Sequence, residues 1–287
     1  MRQEIIRLYD DYTHERVGRR AFMDRLAVMA GGTAAASALL PMLKNNYAKA
    51  AIVAPDDARV ITEEVSFPGA DGEVTGYLAR PADAGGALPA VVVIHENRGL
   101  NPHTEDVARR VALEGFVALA PDFLSPLGGT PENEDEAREM IGQLDSEQTT
   151  QNALAAVDFL ASHEASTGKV GVVGFCWGGA LANQVAVHSP DVAAVVPYYG
   201  RQPSAEEAAK IEAPILLQYA GLDDRINAGI EEYEQALQAA DVDYTIHIYE
   251  GVNHAFNNDT SEARYDQEAA ELAWSRTIDF FKQHLAG

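Results

Sequence analysis

The stretch Lys169–His188, KVGVVGFCWGGALANQVAVH, contains the only cysteine of the chain and decides how the fold is interpreted. Its first half is a continuous apolar run and its second half has helical spacing, which predicts a buried strand that turns directly into a helix. Cys176 lies at that turn, between Gly174 and Gly178. The thiol is therefore either a small buried residue on a tight turn or a nucleophile.

Strand and helix patterns alternate on both sides of this stretch, from about residue 60 to the C-terminus. Two shorter runs, EEVSFPG and GEVTGYLARP, come first and are joined by a GADG turn; apolar runs such as PAVVVIHE, FVALAPD and APILLQYAG follow, separated by helical patterns. This alternation predicts an α/β fold with a doubly wound, mostly parallel sheet, an antiparallel start and helices on both faces. We expect one domain over residues 56–287.

Composition excludes several classes of function. Of the 287 residues, 47% are hydrophobic, which is enough for a substantial core. The net charge of −23 makes nucleic acid a poor partner, because an acidic surface repels phosphate backbones. A single cysteine excludes an intrachain disulfide and a cysteine-based zinc cluster.

Residues 1–55 form an N-terminal segment with two interpretations. Arg19 and Arg20, the Gly/Ala-rich apolar run after them and AKA at 48–50 are typical of a twin-arginine export signal, which would place the protein in the periplasm. The alternative is a retained helix that docks on the body or on a second copy of the chain, in a cytoplasmic protein. The apolar run is too short and too rich in glycine for a stable membrane span.

The pattern glycine, any residue, Cys176, any residue, glycine is typical of a nucleophile elbow with Cys in place of Ser. The two glycines remove Cβ atoms where backbone segments crowd together, and the nucleophile is exposed above the carboxyl edge of the sheet. The dipole of the helix that follows lowers the pKa of a thiol at its N-terminus. Its first backbone N–H, that of Trp177, can bind an oxyanion.

Candidate partners for the thiol follow two later strands. Asp223 comes after APILLQYAG and His254 comes after YTIHIYEG, in the chain order nucleophile, acid, histidine. His254 would accept the thiol proton, and Asp223 would hold the imidazole in the required tautomer. Asp224 remains an alternative for the acid.

The motif VVVIHENRGLN ends another apolar strand. A loop at this place supplies a second oxyanion N–H in hydrolases of this fold. It also carries Glu96 and Arg98, and a carboxylate at the end of a buried strand requires a partner or a role. The alternative is a simple surface pair between these two residues, which contributes little to stability.

Together, IHENRGLN, GFCWGG, AGLDD and GVNHAF resemble the dienelactone hydrolase family (carboxymethylenebutenolidases) of the α/β-hydrolase fold. The resemblance runs from about residue 60 to the C-terminus. It implies hydrolysis of small carboxylic esters or lactones through a thioester acyl-enzyme, without a metal or organic cofactor. The expected partner is a small-molecule ester or lactone substrate, and the N-terminal segment is a candidate contact for a homo-oligomer.

The resemblance also assigns roles to residues. It implies that Cys176 is the nucleophile, that Asp223 and His254 complete a triad, and that Glu96 holds or activates the thiol until substrate displaces it. The oxyanion donors would be the backbone N–H groups of Trp177 and Asn97.

One position departs from the family. Dienelactone hydrolases place an Arg four residues after the catalytic His to bind the substrate carboxylate, and here that position is Asn258. We therefore do not carry over dienelactone itself as the substrate. Other residues are candidates for substrate contacts through positive charge or an apolar wall. These are Arg98, Arg201, Tyr199 and Phe256.

Two other functions remain open. A thiol of low pKa would also react with peroxides or electrophiles, although the chain has no second cysteine to resolve a sulfenic acid. A hydrolase fold can also serve as a binding protein without catalysis. The presence of all three triad elements argues against this last interpretation.

Overall fold

The computed structural model of the protein describes residues 1–47 and 51–286. Its centre is an eight-stranded sheet with the order β1-β2-β4-β3-β5-β6-β7-β8. The strands are β1 (Val60–Pro68), β2 (Glu73–Pro81), β3 (Leu88–Ile94), β4 (Val117–Pro121), β5 (Ser166–Phe175), β6 (Ala194–Tyr198), β7 (Ile215–Ala220) and β8 (Tyr244–Tyr249). The first two strands pair in antiparallel fashion, as do β2 and β4, and the remaining pairs are parallel. The expected fold class, with its antiparallel start, is confirmed.

Helices cover both faces of the sheet. In the body they are α4 (Pro102–Leu113), α5 (Glu134–Ile141), α6 (Ser146–Ser162), α7 (Trp177–His188), α8 (Ala205–Ala208), α9 (Asp224–Asn227), α10 (Ile230–Ala239) and α11 (Gln267–Leu285). Successive residues of a strand point to opposite faces, so Val92 belongs to the apolar cluster that includes residues of α6, α7 and α10, while Val91 belongs to the cluster that includes residues of α4 and α11. Because both faces are covered, the central strands are apolar throughout, as the sequence indicated.

The turn between β5 and α7 positions the thiol. Cys176 has φ 56° and ψ −112°, a conformation that L-residues rarely adopt, and α7 begins at the next residue. A Cβ atom on Gly174 would lie far inside van der Waals contact with the carbonyl oxygen of Gly178. The first turn of the helix can therefore pack against the end of β5 only where residue 174 is glycine. A Cβ on Gly178 would instead meet the carbonyl oxygens of Ile94 and His95 at the end of β3.

The N-terminal segment forms three helices, α1 (Gln3–Thr13), α2 (Arg19–Ala30) and α3 (Thr33–Leu43). They share a small apolar core in which Tyr12 stacks on Phe22 with 4.6 Å between ring centroids. The same Tyr12 donates a hydrogen bond to Asp135 of α5 (3.0 Å) and lies beneath the guanidinium of Arg138. The described part of the segment is therefore docked on the body.

The structure describes only part of the sequence on which the export-signal interpretation rests. The AKA sequence at 48–50 lies outside the described residues. Within them, no single helix is long and apolar enough to cross a membrane. The pair α2 and α3 meets the length and composition criteria together, but the two helices are bent by 110°.

We expect Gly174→Ala to lower the free energy of unfolding by about 2 kcal/mol or more, because overpacking forces backbone shifts in a close-packed interior. Urea unfolding followed by circular dichroism measures this change. Gly86→Ala is the matched control, since nothing lies within 4 Å of the position of its Cβ. Equal unfolding midpoints for the two variants would contradict the proposed crowding at the turn.

Candidate active site

The carboxyl edge of the sheet brings an imidazole and a carboxylate to one rim with the thiol. His254 follows β8 and Asp223 follows β7, and His254 Nδ1 lies 2.5 Å from Asp223 Oδ2. An ionised carboxylate can only accept a hydrogen bond, so Nδ1 of His254 carries the hydrogen and is the donor. The other ring nitrogen, Nε2, is buried and has no hydrogen-bond partner among the described residues. A ring nitrogen of His254 and Sγ of Cys176 lie within 4.8 Å of each other.

The structure distinguishes the two adjacent aspartates. The side chain of Asp223 is 2% exposed, and Oδ1 also accepts a hydrogen bond from the backbone N–H of Ile226 (3.2 Å). The side chain of Asp224 is 82% exposed and lies 3.6 Å from Arg7 on α1. Of the two, Asp223 is the one placed against His254.

A second imidazole, which the sequence analysis did not single out, contacts the thiol. His14, at the C-terminal end of α1, places Nε2 3.3 Å from Cys176 Sγ. Its Nδ1 donates to the backbone carbonyl of Asp10 (2.8 Å) and lies 3.3 Å from the carboxylate of the same residue. The rings of His14 and His254 meet edge to face, 4.8 Å apart. The i, i+4 spacing of Asp10 and His14 was the only signal for this arrangement in the sequence.

The electrostatics of this cluster favour the thiolate. Burial alone raises the pKa of the Cys176 thiol, but the positive charges of His254 and His14, with the hydrogen bond from His14, outweigh burial and lower the pKa to about 6. Burial lowers the pKa of His254, but the negative charges of Cys176 and Asp223 raise it well above its usual range. The pKa of His14 is raised in the same way, against burial, by Cys176 and Asp10.

Glu96 is buried close to the site but makes no hydrogen bond to Cys176 among the described residues. Its Oε2 accepts a hydrogen bond from Asn258 Nδ2 (2.8 Å), and its Oε1 is buried without a partner. Burial raises its pKa, but Arg264, Arg98 and His103 lower it below its usual value, so the carboxylate is ionised. Asn258, the position where the family carries an Arg, is thus engaged by Glu96.

The two candidate oxyanion donors line the same cavity as the thiol. Trp177 is the first residue of α7, and the first N–H groups of a helix have no acceptor within it. Asn97 also lines the cavity, and its side-chain amide donates to the backbone carbonyl of Thr13 (2.9 Å). The N-terminal segment therefore contacts both the thiol and the loop after β3.

A cavity of about 650 Å³ opens over the thiol, and its wall corrects part of the substrate-contact prediction. Arg201 and Tyr199 line it, as expected. Arg98 does not, because its guanidinium is buried between Tyr9 (3.4 Å) and Glu134 (3.5 Å) beneath the N-terminal segment. Phe256 is fully buried in the core of the sheet face.

The cavity is positive although the protein is acidic. Five charged residues line it, four of them arginines. They are Glu15, Arg16, Arg138, Arg201 and Arg225. Three of the arginines face carboxylates, namely Asp11, Asp135 and Asp223. Among the described residues, Arg201 has no carboxylate within 4 Å and is exposed.

The cluster is also the place where the described residues offer metal ligands. Ring nitrogens of His14 and His254 and Sγ of Cys176 lie within 4.8 Å of one another, and Zn²⁺ favours such donors. The carboxylates behind both imidazoles are the outer partners that metal-bound histidines usually have. The same arrangement serves a thiolate equally well.

Comparison with known proteins identifies a family. A sequence profile of the dienelactone hydrolase family matches residues 74–285, and a separate profile described as YqhI-like matches residues 1–31. The protein named "Putative carboxymethylenebutenolidase" of Escherichia coli K12 is 33% identical over 246 residues, which cover 80% of this chain and 89% of that protein. Protein usf of Aquifex pyrophilus is 37% identical over 223 residues, covering 74% and 94%.

A solved structure is also similar to this chain. The crystal structure titled "Putative Dienelactone Hydrolase" from Klebsiella pneumoniae is 30% identical, with a TM-score of 0.71 over 78% of this chain and 99% of that chain.

We expect the rate of iodoacetamide labelling of the native protein to be half-maximal near pH 6, because only the thiolate reacts and the pKa of Cys176 is lowered to about 6. Below that pH the rate falls about tenfold per unit, and above about pH 7 it is constant. Intact-mass spectrometry measures the rate, since the chain has one cysteine. The urea-unfolded chain is the control and should titrate near ~8.5. A native profile that superimposes on the unfolded one would exclude the activated thiol.

Proposed function

The chain belongs to the dienelactone hydrolase family, and we propose that it hydrolyses small carboxylic esters or lactones through Cys176, His254 and Asp223. The observation that carries the proposal is the buried His254–Asp223 pair, 2.5 Å apart, beside a thiol whose pKa is lowered. The names of the relatives agree with an ester or lactone substrate.

In the proposed acylation step, the Cys176 thiolate attacks the carbonyl carbon and the π electrons of the carbonyl move onto its oxygen. The resulting oxyanion is bound by the backbone N–H groups of Trp177 and Asn97. When the carbonyl re-forms, the carbon–oxygen bond to the leaving group breaks, and that oxygen takes the proton from His254 Nε2. The products are a thioester on Cys176 and a neutral His254.

In the proposed deacylation step, His254 Nε2 accepts a proton from water as the water oxygen attacks the thioester carbonyl. The carbon–sulfur bond then breaks, Sγ leaves as a thiolate, and the carboxylic acid is released. Asp223 accepts a hydrogen bond from Nδ1–H of His254 in both steps, which keeps Nε2 directed at the reacting atoms and stabilises the imidazolium. The distance between His254 and the thiol, within 4.8 Å, shortens as substrate binds.

The charge of the cavity favours anionic substrates. Arg201 is the arginine of its wall that no described carboxylate neutralises, so its guanidinium is free to bind a carboxylate or other acidic group of the substrate. This would replace the family arginine that is absent at Asn258.

We expect Cys176→Ala to reduce kcat/KM for an aryl ester by about 10⁴-fold or more, because no other described group can form the acyl intermediate. A screen of aryl esters, lactones and dienelactone measures turnover, and mass spectrometry of the wild type with a slow ester should detect the acyl adduct on Cys176. Retained hydrolysis by Cys176→Ala would refute the proposed mechanism. Rapid peroxide consumption without ester hydrolysis would favour the thiol-reactive alternative.

Asp223→Asn should lower kcat by about 10³-fold or more, because an amide no longer stabilises the imidazolium or fixes its tautomer. Asp224→Asn is the matched control at the adjacent position, and its exposed side chain predicts activity within about twofold of the wild type. Steady-state kinetics with one ester compares the two. The opposite ranking would assign the acid role to Asp224.

Arg201→Gln should raise KM for an ester that carries a free carboxylate by about tenfold, since a charge-assisted hydrogen bond is lost. The neutral methyl ester of the same compound is the control and should show less than about a twofold change. Equal effects on the two substrates would show that Arg201 does not recognise the anion.

A further inference from the structure

The N-terminal segment places a second imidazole–carboxylate pair on the thiol, beside the first. His14 Nε2 lies 3.3 Å from Sγ, within hydrogen-bond distance for sulfur, whereas His254 makes no hydrogen bond to Sγ within the described residues. The Nδ1 atom of His14 faces a carbonyl oxygen and must donate to it, so the lone pair of the neutral ring is on Nε2 and points at the thiol. The side chain of His14 is only 15% exposed.

We propose that His14 of α1, backed by Asp10, is a fourth catalytic residue that takes the Cys176 proton and remains the imidazolium partner of the thiolate. The proposal rests on the hydrolase function proposed above and adds a residue to the same site. It makes the N-terminal segment a part of the active site.

Once His14 has taken the thiol proton, it takes no part in the later proton transfers, which His254 carries out. One proton passes from Sγ to His14 Nε2, and sulfur keeps the electron pair. His254 enters as an imidazolium whose Nε2 proton came from solvent, gives that proton to the leaving oxygen, and regains one from the attacking water. Sulfur is released as a thiolate facing the His14 imidazolium, so the thiolate is restored without any net change at His14.

Several contacts hold the end of α1 at the site. The backbone carbonyl of Thr13 accepts the Asn97 amide, and Tyr12 is fixed by Asp135 and by the guanidinium of Arg138. Further along the segment, the backbone N–H of Asn46 donates to the carbonyl of Thr260 (2.8 Å). Two of these contacts are to α5 and one to the loop after β3, so His14 is positioned by the body as well as by its own helix.

The charges around the two imidazoles come from every element packed against them. Those that contribute most to the titration of the cluster are Asp10 from α1, Asp223 and Arg225 from the end of β7, and His254 and Arg264 from the segment after β8. Burial raises the pKa of Asp10, but His254, His14 and Arg264 lower it far below its usual range. Glu96 and Tyr199 also lie nearby, and burial, with the charges of Glu96 and Cys176, raises the pKa of Tyr199. Asp10 is thus an anion available to stabilise an imidazolium at position 14.

The test is the pH profile of iodoacetamide labelling for the full chain, in the presence of EDTA so that no bound metal alters the thiol. For His14→Gln we expect the profile to move up by about one pH unit or more, with labelling about tenfold slower at pH 6 and within about twofold of wild type at pH 9.5. Asp10→Asn should move the profile in the same direction by less. Glu4→Gln, an exposed position on the same helix, should leave it unchanged.

Ester hydrolysis gives the second readout. In His14→Gln, kcat should fall at pH 6 to 7 and recover as the pH rises, because hydroxide then forms the thiolate that His14 no longer stabilises. A purely structural role would lower activity at every pH. Because Asp10→Asn leaves the ring in place, it tests the same claim if His14→Gln does not fold.

Three results would overturn the proposal: labelling of His14→Gln that superimposes on wild type, hydrolysis that increases in that variant, or intact mass showing loss of residues 1–50 from the protein of its native cell. Labelling does not depend on ester turnover. A wild type that hydrolyses no ester, together with a shifted His14→Gln profile, would therefore reject the hydrolase function and keep the role of His14 at the thiol.

Discussion

The close approach of Gly174 to Gly178 is the constraint on which the site depends. Because Gly174 carries no Cβ, the first turn of α7 sits directly on the end of β5, and Cys176 is held at φ 56° at the turn. Because Gly178 carries none, the same turn also approaches the carbonyl oxygens of Ile94 and His95 at the end of β3. This backbone conformation carries an energetic cost that a well-packed surrounding structure must offset. The buried parallel strands on both sides of β5 supply that support, and they also bring the ends of β7 and β8 to the same rim.

Two imidazoles of different origin lie beside the thiol at that rim. His254 belongs to the hydrolase body and is held by Asp223, whereas His14 belongs to the N-terminal segment and is held by Asp10. Both rings offer Nε2 toward sulfur and Nδ1 toward an oxygen. Burial alone would raise the pKa of Cys176 and keep the thiol protonated. The two rings outweigh burial and lower that pKa.

Local patterns in the sequence were sufficient for the fold class, and they also pointed to three side chains that the structure brings to one rim, Cys176, Asp223 and His254. The apolar runs and the glycines around Cys176 report packing requirements that act over a few residues, and the strand ends at Asp223 and His254 follow from the parallel arrangement. The position of β4 between β2 and β3 was not predicted, because strand order depends on crossovers that leave no local signal. Asp223 and Asp224 could be separated only by the direction in which each side chain points.

Long-range contacts account for what was missed. His14 lies 162 residues from Cys176 in the chain, on a helix whose spacing is typical of any amphipathic surface helix. Arg98 was expected near substrate, but Tyr9 and Glu134 enclose it once the N-terminal segment is docked. Both differences arise from the N-terminal segment, for which the sequence supported either an export signal or a retained helix.

The position of His14 on α1 has a consequence for biosynthesis. A ribosome releases α1 well before the strand that precedes His254, so the two imidazoles meet only when both have been made and the sheet has closed around β5. Until then neither ring lowers the pKa of the thiol, which stays slow to react with cellular oxidants. Assembly of the tertiary structure therefore delays the reactivity of the thiol until both imidazoles are in place.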